Sequence, residues 1–164
     1  MIARRTITGV AAAFALAIGV SNSASAQFIA PFAGYNVDLE ELVVGGGVGL
    51  PISLGMASLV IQPGFEYYPG VEGATLYTFM VDLHYALPLP KSPVKPYFGG
   101  GYALNRASAE AFGVTVSATN SQLNALGGVS FGSGPFSPFV EGNLRFVDGS
   151  SVVLKGGGRI RLGS

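Results

Sequence analysis

The chain has no cysteine, no tryptophan, a single histidine (His84) and only 11% charged residues among its 164. Without cysteine it is neither a small secreted disulfide scaffold nor a lipoprotein held through a lipobox thiol. One histidine and no thiol leave only scattered carboxylates for a metal, so no metal centre and no cofactor are expected. No basic tract is present to hold nucleic acid. No stretch after residue 26 carries the period of an amphipathic helix.

What is present starts with an export signal. Met1-Ile2-Ala3-Arg4-Arg5 is followed by an apolar run from Val10 to Val20 and a small-residue end, Ala24-Ser25-Ala26. This reads as a cleavable signal peptide over residues 1–26, with cut between Ala26 and Gln27. The run is about half of the roughly 20 residues that a spanning helix needs. Residues 27–164 then form one domain, with seven basic residues against all nine acidic ones and a net charge of −2.

In that domain, Leu76-Tyr77-Thr78-Phe79-Met80-Val81-Asp82-Leu83-His84-Tyr85-Ala86-Leu87 places apolar or aromatic residues at every odd position from Tyr77, and Thr78, Asp82 and His84 at even ones. A strand with a greasy outer face and a polar inner one is the pattern of a membrane β-barrel. Eight strand-like segments are separated by Gly, Pro, Asn, Asp or Ser clusters: 28–37, 42–50, 57–68, 74–87, 94–106, 117–131, 137–147 and 151–162. Connections alternate in kind. Residues 51–55, 88–93 and 132–136 are compact and proline-bearing, as periplasmic turns are. Residues 38–41, 69–73, 107–116 and 148–150 carry six of the nine acidic residues and read as extracellular loops. The expected fold is all-β: an eight-stranded, antiparallel, up-and-down transmembrane barrel.

Parity places the charges. Leu59, Ile61, Phe65 and Tyr67 oppose Gln62 and Glu66; Phe98, Tyr102 and Leu104 oppose Lys95, Tyr97 and Asn105; Leu123 and Val129 oppose Gln122 and Asn124. Val140, Leu144 and Phe146 oppose Glu141 and Arg145, and Leu154 and Ile160 oppose Lys155 and Arg159. The first segment is ambiguous by this test. A lipid-facing Lys or Arg near the midplane costs about 2–4 kcal/mol, which is reason to send these ions inward. An eight-stranded lumen is just wide enough to be filled by side chains, so Glu66, Asp82, His84, Lys95, Glu141, Arg145, Lys155 and Arg159 are predicted to form a structural lumenal network. The outward Tyr and Phe residues form the interfacial girdle in place of Trp.

The alternation, the Pro-Tyr-Phe-Gly-Gly-Gly-Tyr run at Pro96–Tyr102 and the Pro-Phe-Val-Glu-Gly-Asn-Leu-Arg-Phe run at Pro138–Phe146 resemble the small outer-membrane barrel domain of OmpA-, OmpX- and opacity-type proteins. The resemblance covers essentially all of 27–164. It departs at the end: members commonly finish on an aromatic residue that assists the assembly machinery, and here the last residues are Arg161-Leu162-Gly163-Ser164. It implies residence in the outer membrane and contact with lipid, lipopolysaccharide and, during insertion, the barrel assembly machinery. A monomer is expected, with a structural or surface-interaction role and no catalysis; the sequence names no surface partner. Three other readings stay open: a narrow small-solute channel, a lipid-modifying barrel enzyme built on the Asp82/His84 pair, and a soluble lipocalin-like carrier with its faces reversed.

Overall fold

Alternating side chains and turn clusters leave the chain one economical solution, a sheet that curls until its first and last strands meet. The computed structural model describes residues 27–54, 57–111, 114–147 and 149–162. The expected signal peptide and residues 163–164 lie outside that set. Eight strands follow in order: β1 (Phe28–Asn36), β2 (Glu41–Leu54), β3 (Ala57–Tyr68), β4 (Ala74–Ala86), β5 (Val94–Ala111), β6 (Val114–Phe131), β7 (Phe136–Val147) and β8 (Gly149–Arg161). Each pairs antiparallel with the next, and β8 pairs with β1 to close the barrel.

The stagger of the closure follows from the register. Paired positions lead from Val129 through Val140, Gly156, Ala33, Val44, Tyr67, Tyr77 and Arg106 to Thr119, so one circuit returns ten residues away on β6. A stagger of this kind requires the strands to tilt, typically by ~35–45°, to the barrel axis. Every residue on that circuit lies on the outer face. Along β4 the two faces separate cleanly: Thr78, Met80, Asp82 and His84 are buried, while Phe79, Val81 and Leu83 are exposed. Phe65, Tyr77 and Phe79 cluster on the outer wall, and Tyr85 meets Phe98 edge to face. Such an apolar outside is the face a bilayer requires.

The register also resolves β1. Phe28, Ala30, Phe32, Gly34 and Asn36 point inward, because they pair with β8 positions on the face of Lys155 and Arg161 or share their parity. Asn36 starts the β1–β2 turn, its Oδ1 accepting the Asp38 and Leu39 amides at 3.1 Å each.

Two expectations about boundaries are corrected. Pro51–Leu54 belongs to β2, not to a turn: Pro51 pairs with Val60 and Leu54 with Ala57. The β1 ladder reaches only Phe28 opposite Gly49, so Pro51 has a neighbour on one side, where a missing N–H is tolerated. The second correction is larger. The connection expected over 107–116 is nearly all strand, with β5 and β6 paired from Val94 opposite Phe131 to Ala111 opposite Val114. Ala107-Ser108-Ala109-Glu110 looks like a loop by composition, but it alternates small apolar and polar residues as a ribbon does.

Candidate functional site: the charged lumen

The inward residues stack in layers. In the middle one, Glu66 of β3 is fully buried and faces Arg145 of β7 and Lys155 of β8. Arg145 Nη2 donates to Glu66 Oε1 at 2.7 Å and Nη1 donates to the Tyr68 hydroxyl at 2.8 Å, while that hydroxyl donates to Glu66 Oε2 at 3.1 Å. Lys155 Nζ lies 2.9 Å from Glu66 Oε1 and 3.5 Å from Glu141 Oε1. Two anions and two cations thus bridge the lumen from β3 to β7 and β8 with no net charge. All four are at most 7% exposed. Buried ions persist only when paired and hydrogen-bonded, and the tyrosine hydroxyls supply part of that bonding, while Arg145 Nε has no partner among the described residues. Tyr97 donates to Glu141 Oε2 at 3.1 Å from the layer below.

Asp82 is held separately, by Asn124 Nδ2 at 2.9 Å across β4 and β6. Close approach of backbone makes room for these contacts. A Cβ at Gly101 would collide with Asp82 Oδ1, and one at Gly128 would sit 2.5 Å from the Tyr97 hydroxyl.

The lower layer is aromatic. His84 stacks on Tyr97 with centroids 5.3 Å apart and planes 7° from parallel. The Arg159 guanidinium lies 4.3 Å from the Tyr97 ring centroid, 5.2 Å from Phe28 and 5.5 Å from Phe139. Ring faces carry negative density that attracts a cation, so this arginine is held by rings and not by a carboxylate. Phe28 and Phe139 were not read as lumenal from the sequence. Phe139 shares parity with Glu141 and Arg145, a signal that was available; Phe28 needed the β1–β8 register.

The upper layer is neutral and polar. Thr78 Oγ1 and Gln122 Nε2 both donate to Asn105 Oδ1, at 2.7 and 3.3 Å. With Asn36, Tyr68, Arg145 and Ser151 they line a cavity of about 190 Å³ at the outer mouth.

The structure therefore brings together Glu66, Glu141, Arg145 and Lys155, and sets the other predicted residues apart. Lys95 makes no ion pair with a described residue. Neither ring nitrogen of His84 has a hydrogen-bond partner among the described residues, so Asp82 does not orient it as a base. No group of three or more potential metal ligands is found among the described residues. What this arrangement does chemically is tie β3 to β7 and β8 across the barrel interior.

No family model matches the chain, and no curated protein does. Solved structures match it over most of its length. The N-terminal β-barrel domain of Pseudomonas aeruginosa OprF is similar at TM-score 0.67 and 14% identity, covering 82% of this chain and 95% of that one. Ail, the attachment invasion locus protein of Yersinia pestis, is similar at TM-score 0.58 and 18% identity, covering 82% and 97%. The outer membrane enzyme PagL is similar at TM-score 0.53 and 15% identity, covering 82% and 99%. The chain has the fold of the small eight-stranded outer-membrane barrels. At these identities the likeness concerns fold, and one of these neighbours is an enzyme.

Proposed function

We propose that the chain is an integral barrel of the outer membrane, exported by its first 26 residues, with a structural or surface-interaction role and a lumen closed to solutes. The observation that carries this reading is the buried four-ion bridge, which crosses the lumen from β3 to β7 and β8 and occupies its middle layer. The exposed row of Phe98, Tyr102, Leu104, Val140 and Leu154 supports lipid, with lipopolysaccharide in the outer leaflet, as the surrounding medium. Insertion would depend on the barrel assembly machinery. The reading is non-enzymatic, and His84 supports it: the ring is stacked in the lumen, and neither of its nitrogens is hydrogen-bonded to an acid among the described residues.

Planar bilayers test the closed lumen. Insertion of the refolded protein is expected to leave the current at baseline. A steady conductance in most insertions would replace this reading with that of a narrow channel. Gel mobility with and without boiling tests the barrel itself, and a chain that shows no shift and stays soluble in plain buffer would overturn the membrane assignment.

A further inference from the structure

Charge divides along the barrel axis. Asp38, Glu40, Glu41, Glu72 and Glu110 stand at one end, in or beside the β1–β2, β3–β4 and β5–β6 turns, accompanied by Arg106. At the other end β8 meets the start of β1, with Leu162 N–H donating to Gln27 O at 2.8 Å, and there the charged residues are Lys91, Lys95, Arg159 and Arg161. The segments that build this end, 27–30, 50–60, 86–96, 130–138 and 158–164, contain no Asp or Glu. In the membrane reading this basic end is periplasmic and meets the inner leaflet.

Arg159 is covered by rings, but Lys95 is not. It is half-buried, one inward position below Tyr97 on β5, and forms no ion pair with a described residue. It lines a cavity of about 300 Å³ at the end of β4, with Ser58, Tyr85, Leu87, Leu89 and Pro90. The two halves of this cavity are unlike. Lys95 and Ser58 offer an ammonium and a hydroxyl, whereas Tyr85 and Leu87 continue the apolar outer wall to the rim and Leu89, in the turn itself, is 49% exposed. The turn is fixed: Leu87 N–H donates to Pro96 O at 2.9 Å, Ser92 N–H to Leu89 O at 3.3 Å and Val94 N–H to Ser92 Oγ at 3.1 Å. Lys91 follows Pro90 directly, at a φ of 66° where Gly or Asn is the ordinary occupant, and tethers a second ammonium one residue from the cavity lining.

We propose that this cavity seats the headgroup of an anionic phospholipid of the inner leaflet, its phosphate on Lys95, Lys91 and the Ser58 hydroxyl and its acyl chains over Leu87 and Tyr85. Lysine binds phosphate as a point charge. The apolar half selects a lipid over a free anion, which has nothing to lay on Leu87 and Leu89. A zwitterionic headgroup would bring its own ammonium to an end of the barrel that has no carboxylate to receive it, so net negative charge is selected as well. Lipopolysaccharide lies in the opposite leaflet and meets the acidic end. This inference rests on the proposed membrane reading, which puts a bilayer around the outer wall.

Native mass spectrometry tests it, on barrels released from phosphatidylcholine nanodiscs that contain a minor share of phosphatidylglycerol. Retained phosphatidylglycerol is expected to be enriched about tenfold over its share in the disc. Lys91→Asn combined with Lys95→Gln suits the left-handed turn and removes both charges; it is expected to abolish the enrichment and keep the folded gel shift, while Lys95→Arg retains both. Leu89→Ser, with both ammonium groups in place, is expected to weaken the enrichment by about threefold. No enrichment, or enrichment undiminished in the double variant, in a barrel that still shows the gel shift would overturn the site and leave the barrel reading standing. Enrichment lost on adding inorganic phosphate at constant ionic strength would make the cavity a site for free anions and overturn the lipid assignment. An unmutated chain without the gel shift would remove both readings.

Discussion

Lys155 and Arg159 leave the same face of β8 and enter the same lumen, yet they are held differently. Lys155 lies between Glu66 and Glu141, at 2.9 and 3.5 Å. Arg159 lies over the rings of Tyr97, Phe28 and Phe139 and forms no ion pair with a described residue. A carboxylate attracts a buried cation strongly but must itself be taken out of water. A ring attracts it weakly at no such cost. The middle layer is therefore tightly interdependent, and the lower layer tolerates change.

The test with the largest expected effect is on the ions. In Glu66→Gln, Arg145 loses its charged partner and Lys155 keeps only the more distant Glu141. Removing one member of a buried pair typically costs about 3–5 kcal/mol. Urea unfolding of the barrel in lipid vesicles is expected to show a loss of that size. A loss below about 1 kcal/mol would erase the distinction between the layers, since it would make the buried bridge no stronger than a surface pair.

Next comes the joint between layers. The Tyr97 hydroxyl bonds Glu141 above, while its ring carries Arg159 and His84 below. Gly128→Val places a side chain against that hydroxyl and the Val140 carbonyl, so Tyr97 must move. Overpacking of this kind costs about 1–3 kcal/mol. Both layers are expected to loosen together, read as faster amide exchange on β5 and β7. Arg159→Met keeps an apolar stem over the rings and removes the charge. It is expected to cost about 1–2 kcal/mol in the same unfolding assay, well below the Glu66 variant.

How much of this was legible depends on distance along the chain. Strand parity is local, so the face of Glu66, Glu141, Arg145 and Lys155 can be read from immediate neighbours in the sequence. Which of them touch is a property of the stagger, and ten residues of shear accumulate over eight pairings that no single strand displays. That is why Lys95, which has the same parity as Tyr97, could be grouped with ions it does not reach. β1 was illegible for another reason: Phe28-Ile29-Ala30-Pro31-Phe32-Ala33 is apolar on both faces. The hairpin extension was misread because alanine and serine carry little hydrophobic contrast, so alternation over 107–111 passed for a loop. Pro51 misled in the opposite sense. A proline signals a turn unless one side of the strand is already unpaired, and the start of β1 makes it so.

The smallest effect belongs to His84, and it separates a polar residue from a polar function. Its ring lies parallel to Tyr97, 3% exposed, with both nitrogens lacking a partner among the described residues. A buried polar group in that position contributes shape and stacking, while its desolvation works against stability. His84→Phe keeps the ring and removes the desolvation, so stability is expected to be unchanged or to rise by up to about 1 kcal/mol. Arg159 is expected to remain over Tyr97, because its contacts are with rings that the substitution leaves in place. A loss above about 2 kcal/mol would mean that the imidazole nitrogens are bonded in the membrane-embedded protein. The lower layer would then depend on polar pairing as the ion layer does, and the contrast between Lys155 and Arg159 would be one of degree.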